Sequence, residues 1–387
     1  MRIGIIAESF PPDLNGVAHS VVRVAEHLVK RGHHPLVIAP EPGSGLPRVA
    51  GAMPYPVVRV PSLPMPGYPQ FRLGLPSRRI TDALIGHGTH LVHLAAPFFL
   101  GGRGSAVAQH LRLPTVAVYQ TDVPAYAAAY GRRLGGIGSA LAWRWVRAIH
   151  NGSDRTLAPS TSSATALHEH GVERVWLWRR GVDSSRFDPA HRSVALRRAL
   201  APGGEMLVGY VGRLATEKRV DLLAGICALP GTRLVLVGSG PALESLRKQL
   251  PQALFLGART GRQLARIYAS LDIFVHSGPF ETFGQTIQEA SASGLPVVAP
   301  AAGGPLDLVQ DGVTGYLVEP NNGPALTDAV GALVADPALR AKMGEQGRQL
   351  VLGRSWEAVC DELIGHYAAV LDAPMPDLAA APAPVTG

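Results

Sequence analysis

Two glutamates eight positions apart, Glu281 and Glu289, flank a Phe-Gly in the segment GPFETFGQTIQEASASGLPVVAP. The spacing predicts one carboxylate ahead of a helix and the other about one turn inside it. Glu289 would then reach a diol as a bidentate acceptor. Glu281 would lie beside the free backbone N–H groups of Phe283, Gly284 and Gln285, which suit a phosphate or a polar sugar edge. A helix residue and a solvated loop charge would look the same in isolation, so the neighbouring motifs decide. In MLVGYVGRLATEKRVDLL, Arg213 directly follows an apolar strand and Lys218 stands at the start of a helix, the makings of a pyrophosphate site. Gly238 and Gly240 end the strand LVLVG as a dinucleotide fingerprint begins, but Leu243 stands at the third glycine position and no acidic residue follows at a strand end. A nicotinamide dehydrogenase is therefore not expected, although the loop suits close backbone approach to a ligand. One carboxylate for sugar hydroxyls, one for ribose and cations between them make a set fitted to a nucleotide-sugar.

Other clusters read as less reactive. His87, His90 and His93 are three apart, but they run from a turn into an apparent strand, where i and i+3 face opposite sides. No Asp-x-Asp pair occurs in the chain to hold a metal on a diphosphate, so charge neutralisation falls to Arg213, Lys218 and helix termini. No metal and no separate cofactor are expected. The segment YGRRLGGIGSALAWRWVRAIH carries Arg132, Arg133, Arg144 and Arg147 with Trp143 and Trp145. It suits either an anionic membrane surface or a helix packing its tryptophans on a sheet.

These residues need elements to position them. The chain has 387 residues, 47% hydrophobic and 17% charged, which describes a globular protein of about two domains. Short apolar strands (IGIIAE, PLVIAP, LVHLAA, PTVAVYQ) alternate with helical sequence such as 17–31. The series restarts after RRGVDSSRFDP with MLVGYVG, RLVLVG, ALFLG, DIFVHS and PVVAP, separated by helices near 219–227, 241–249, 261–269 and 284–292. Such alternation predicts parallel sheets covered on both faces, in two Rossmann-like domains facing across a cleft. The boundaries are expected at 1–178, 179–355, a helix over 356–372 crossing back to the first domain, and a disordered tail over 373–387.

Charge is uneven. Residues 1–180 hold 19 Lys and Arg against 9 Asp and Glu, a net +10, so this half is expected to face something anionic. No apolar run approaches the roughly 18–20 residues of a membrane span. Two distant cysteines, Cys227 and Cys360, fit a reducing, cytoplasmic compartment. Nucleic acid is not expected as a partner, and no feature of the sequence sets an oligomeric state.

Glu281, seven residues and Glu289, with RLATEK upstream and SGLPVVAPAAGGPLDLVQDGVTGYLV downstream, resemble the retaining GT-B glycosyltransferases of family four. The resemblance runs from ESFPPDLNGV to GYLVEP. ESFPPDLNGVAHSV, YQTDVPAYAAAYG, DRTLAPS and WRRGVD are most similar to actinobacterial GDP-mannose-dependent α-mannosyltransferases acting on lipid acceptors. By this resemblance Glu281 contacts donor hexose hydroxyls, Glu289 the ribose, and Arg213 and Lys218 the diphosphate. Gly16 lets the first helix approach phosphate and acceptor, and Gly304 lines the donor side. Family members often carry a histidine after the fourth N-terminal strand, where this chain has Gln120. Asp122 is a candidate substitute or, equally, the N-cap of a helix at 123–130. The resemblance implies mannose transfer to a lipid or glycan, with peripheral contact to an anionic membrane. A UDP-sugar transferase acting on a small acceptor and a GT-B sugar-nucleotide 2-epimerase are the rival readings.

Overall fold

The first apolar run, Arg2–Ala7, forms β1, whose β-branched Ile3, Ile5 and Ile6 are buried. A helix, Gly16–Lys30, returns across it. Asn15 caps that helix by accepting from the Ala18 N–H at 2.9 Å, and Val21, Val24, Ala25 and Leu28 make its buried stripe. The computed structural model describes residues 1–13, 15–43, 53–65, 68–95, 97–122 and 135–372. The 373–387 tail and the 123–130 helix expected from sequence lie outside the described residues.

The unit is repeated with β2 (His34–Pro40), β3 (Val57–Val60), β6 (Leu91–Ala95), β7 (Thr115–Val118), β8 (Arg155–Ala158) and β9 (Val175–Leu177). Together with β1 they form a parallel sheet in the order β3-β2-β1-β6-β7-β8-β9. A small antiparallel ribbon, β4 (Ser62–Met65) with β5 (Tyr68–Gly74), forms a separate sheet beside it. The second sheet comprises β10 (Met206–Val211), β11 (Thr232–Val237), β12 (Leu254–Gly257), β13 (Ile273–Val275), β14 (Val297–Pro300) and β15 (Gly315–Val318), in the order β12-β11-β10-β13-β14-β15. Both sheets reverse their winding beside the first strand of the unit, between β1 and β6 and between β10 and β13. In doubly wound sheets such a switch point, outside the carboxyl ends of the strands, is where ligands bind.

Two features differ from the sequence reading. Gln120 follows the fifth strand of its sheet, because the short, half-buried β3 carries too weak an apolar signal to be read. Lys218 ends a 3-10 turn, Thr216–Lys218, and the segment after it, Val220–Ala228, is 3-10 in place of an ordinary helix.

The chain crosses between the sheets twice. On the first crossing Trp178 is buried and donates its indole N–H to the Val359 carbonyl at 2.8 Å. Val182 N–H bonds the Arg354 carbonyl of the second crossing at 2.9 Å. A Cβ on Gly181 would sit 2.6 Å from the Trp356 nitrogen, so only glycine lets the two crossings touch. The helix Trp356–Leu371 then packs Leu363 and Tyr367 into the core of the first sheet. It is fixed there by His27–Asp361 at 2.7 Å and by Tyr367 to His93 Nδ1 at 2.7 Å.

Candidate active site

The residues singled out in sequence for ligand binding come from the carboxyl ends of β1, β7, β10, β11, β13 and β14, on segments that the two crossings bring together. Glu281 follows β13 and accepts from Lys218 Nζ at 2.7 Å, with His276 Nε2 3.9 Å away on the same oxygen. Burial works against its charge, but Lys218, His276 and Arg180 outweigh that and hold the carboxyl down at about 2. The buried imidazole of His276 is drawn down to about 4, chiefly by desolvation, so it is neutral at physiological pH. Arg213 pairs with the buried carboxylate of Glu217, and its carbonyl accepts from the Tyr210 hydroxyl at 3.1 Å. The two cations are thus pre-positioned, each beside a carboxylate.

The helix Gln285–Ala292 begins at Gly284, whose φ of 101° is open to glycine and costly for other residues. Phe283 is buried beneath that turn. Gln285 and Gln288 donate their side-chain N–H groups to the Gly181 and Arg180 carbonyls, both at 3.1 Å, tying this helix to the first crossing. Glu289 lies one turn in, partly accessible, yet desolvation pushes its carboxyl up to about 8 despite a bond from Tyr268 and the charge of Arg186.

The glycines have specific neighbours. A Cβ on Gly304 would lie 2.0 Å from the Phe283 carbonyl oxygen, so the loop after β14 can close on the Glu281 loop only with glycine there. Gly238 and Gly240 would place a Cβ 1.8 Å from the Gly212 and 2.2 Å from the Leu214 carbonyl oxygens. What approaches them is the backbone of the Arg213 loop. Their effect on any ligand passes through that loop.

The opposite wall belongs to the first domain. Gln120 is buried, its amide oxygen accepts from Arg180, and its carbonyl accepts from the Thr282 hydroxyl at 3.2 Å. Asp122 accepts from the Tyr119 hydroxyl at 3.1 Å, while the helix it would cap lies outside the described residues. Gly16 opens the first helix, and its carbonyl accepts from Arg180 at 3.1 Å. Ser162 and Ser163 donate to the Gly303 and Thr282 carbonyls at 3.0 and 3.3 Å, and Asp307 accepts from the Thr161 N–H at 2.9 Å, which joins the two walls directly. Arg180 and His276 were not foreseen as site residues. Their only signals were the paired arginines in WRRGVD and the histidine ending the DIFVHS strand.

The other clusters separate. His87 bonds the His34 carbonyl at 3.0 Å, whereas His93 is buried against Tyr367. No group of three or more potential metal ligands gathers among the described residues. Trp143 stacks on His170 with ring centroids 3.7 Å apart, a packed position, while Trp145 is 45% exposed beside the exposed Arg144. Arg147 is exposed on the same helix, and Arg132 and Arg133 lie outside the described residues.

Glu8, at the end of β1, accepts from the Phe98 and Gly101 N–H groups at 3.0 and 2.8 Å, yet burial pushes its carboxyl up to about 7. A raised carboxyl holds its proton longer in the folded state, so stability falls as pH rises from the ordinary value of 4.5 to the raised one. Depressed histidines such as His276 act oppositely, but only below their ordinary 6.5. Between pH 6.5 and 8 the melting temperature is therefore expected to fall, and to fall less in Glu8→Gln/Glu289→Gln. Equal slopes for the double variant and the wild type in a thermal melt series would contradict this.

Two parallel-sheet α/β domains joined in this way have the architecture of the GT-B glycosyltransferases. Residues 14–186 match the model for Glycosyltransferase Family 4, and residues 194–350 that for Glycosyl transferases group 1. The chain is 49% identical to the GDP-mannose-dependent alpha-mannosyltransferase of Mycobacterium tuberculosis over 375 residues, 96% of this chain and 97% of that protein. It is 43% identical to the protein of the same description from Corynebacterium glutamicum, covering 96% and 89%. Among solved structures it is similar to a sucrose-phosphate synthase from Thermosynechococcus elongatus (TM-score 0.78, 23% identity, 95% and 98% covered). It is likewise similar to Anabaena HepE in complex with UDP and glucose (0.75, 20%, 95% and 99%). The chain belongs to the family of GDP-mannose-dependent alpha-mannosyltransferases, within the family-four glycosyltransferases.

Proposed function

We infer that this protein transfers mannose from GDP-mannose, with retention, to a lipid or glycan acceptor. The observation that carries the reading is the Lys218–Glu281 pair with Arg213, set at the switch point of the second sheet and faced by Gly16 and Gln120 of the first. Residues 1–178 are assigned to the acceptor and 179–355 to the donor. In this reading Glu281 orients the mannose hydroxyls, Glu289 the ribose diol, and Arg213 and Lys218 meet the diphosphate. Phe283, Gly284 and Gln285 offer backbone N–H groups at a helix start. Gly238, Gly240 and Gly304 fix the loops that carry these groups. Gln120 and Asp122 line the acceptor side, where a glutamine can hydrogen-bond a sugar hydroxyl without taking its proton.

The reaction then needs no basic side chain at the acceptor. The acceptor oxygen bonds to the anomeric carbon on the face that GDP leaves. The bond from that carbon to the phosphate oxygen breaks with its electron pair, and this oxygen takes the acceptor proton. Arg213 and Lys218 stabilise the charge that develops as GDP departs.

The donor assignment is tested by thermal shift in the presence of a chelator. GDP-mannose at ~100 times its dissociation constant should add about 2.7 kcal/mol of stability, and UDP-glucose at the same concentration much less. Protection by UDP-glucose in place of GDP-mannose, or protection that requires a divalent ion, would sink it.

We further propose a cytoplasmic protein in peripheral contact with an anionic leaflet. Cys227 and Cys360 are unpaired, and no helix among the described residues is long and apolar enough to cross a membrane. Surface Lys or Arg contribute roughly 1 kcal/mol each to such contact. Neutralising Arg132, Arg133, Arg144 and Arg147 should reduce co-sedimentation with anionic vesicles and leave donor binding unchanged. Equal sedimentation of mutant and wild type would favour a soluble acceptor.

A further inference from the structure

Arg180 is the only arginine among the described residues whose side chain is buried, at 7% exposure. Its guanidinium donates to the Gly16 carbonyl at 3.1 Å and to the Gln120 amide oxygen. Both acceptors are neutral, and no carboxylate of the described residues lies within ion-pairing distance. Glu281 acts on it only through space, and burial draws the guanidinium down to about 10. Other arginines of this chain are treated differently: Arg192 and Arg197 share Asp272, Arg348 pairs with Asp188, and Arg179 with Asp307. A buried cation whose hydrogen bonds are met but whose charge is not costs stability, and natural folds keep such groups where a ligand supplies the counter-charge. Gly16 is part of the arrangement, because a Cβ there would stand 3.0 Å from Arg180 Nη1.

We propose that Arg180, presented by the first crossing between the Gly16 turn and Gln120, binds an oxyanion of a substrate held in the cleft. The oxyanion is a phosphate of the departing diphosphate or an acidic group on the acceptor. The chemistry is the same for both: a planar donor fork, held in place by Gly16 and Gln120, meets a phosphate or carboxylate edge. This rests on the cleft being the donor–acceptor site proposed above.

Arg180→Gln and Arg180→Lys are compared with the wild type for melting temperature without ligand, affinity for GDP, and KM for the acceptor. The glutamine variant removes a buried charge together with the Gly16 and Gln120 bonds and part of the field that keeps Glu281 ionised, so its melting temperature serves only to confirm that it folds. It should lose at least tenfold in one of the two affinities, and lysine should restore part of that loss. Loss of GDP affinity assigns the anion to the donor. Unchanged GDP affinity with a raised acceptor KM assigns it to the acceptor. A glutamine variant that binds both substrates as the wild type does overturns the proposal, whatever its melting temperature. A loss that lysine shares in full also overturns it, because positive charge would then not be what matters. Inorganic pyrophosphate, titrated by thermal shift against the same three proteins, gives a readout that stands even if the donor base is not guanine.

Discussion

Replacing Arg213 and Lys218 together by alanine is expected to abolish measurable turnover while the protein remains folded. Loss of a single group that stabilises transition-state charge commonly costs on the order of 10²–10³ in rate. Both cations here lie on loops at the end of β10, outside the hydrophobic clusters that hold the second sheet together. Each has a carboxylate beside it, Glu217 for Arg213 and Glu281 for Lys218, so their removal also disturbs local charge. If Arg213 and Lys218 meet the diphosphate as proposed, the single variants should each lose at least a hundredfold, mainly in kcat, because that charge grows as GDP leaves. Near-normal turnover in the double variant, measured with saturating donor, would remove the diphosphate assignment.

Glu281→Gln is expected to fall by a similar factor, with a distinct signature in stability. The carboxyl is held at about 2 against an ordinary 4.5, so its interactions stabilise the fold above pH 4.5 and are lost as pH falls towards 2. The shift corresponds to roughly 3 kcal/mol for the ionised form. Glutamine keeps the shape and removes the charge that Lys218 faces at 2.7 Å. Breaking a partly buried pair from one side costs more than removing both partners. Glu281→Gln/Lys218→Met should therefore melt above Glu281→Gln alone, while both stay inactive. Additive melting effects in that cycle would show that the two side chains do not interact.

The residues proposed to hold the donor could be singled out from the sequence. Glu281 and Glu289 declare themselves because a strand, a Gly-Pro loop and a helix follow in a fixed order. Arg213 and Lys218 do so because they sit between a strand and the next helical segment. The first-domain wall was less legible. Gln120 and Asp122 could be picked out, but the partner that fixes Gln120 is Arg180, sixty residues away, and arginine before a glycine in a polar turn reads as a solvated cation. Burial of Arg180 follows only from the meeting of two domains, which no local pattern encodes. His276 escaped for a related reason: a histidine ending an apolar strand is indistinguishable from a core residue until Lys218 and Glu281 fold over it. Gly238 and Gly240 suit close approach to a ligand by sequence, and the close neighbour is the backbone of the Arg213 loop. Sequence spacing announces that something must come near. It does not say what.

The most direct test of the account is the fate of labelled mannose. The purified protein is incubated with GDP-mannose carrying labelled mannose, an actinobacterial membrane-lipid extract and a chelator, and the organic-soluble product is digested with linkage-specific mannosidases. Label is expected in the organic phase, released by α-mannosidase and not by β-mannosidase, and absent when Glu281→Gln replaces the wild type. Label released only by β-mannosidase, or incorporation from UDP-hexose with none from GDP-mannose, would contradict it.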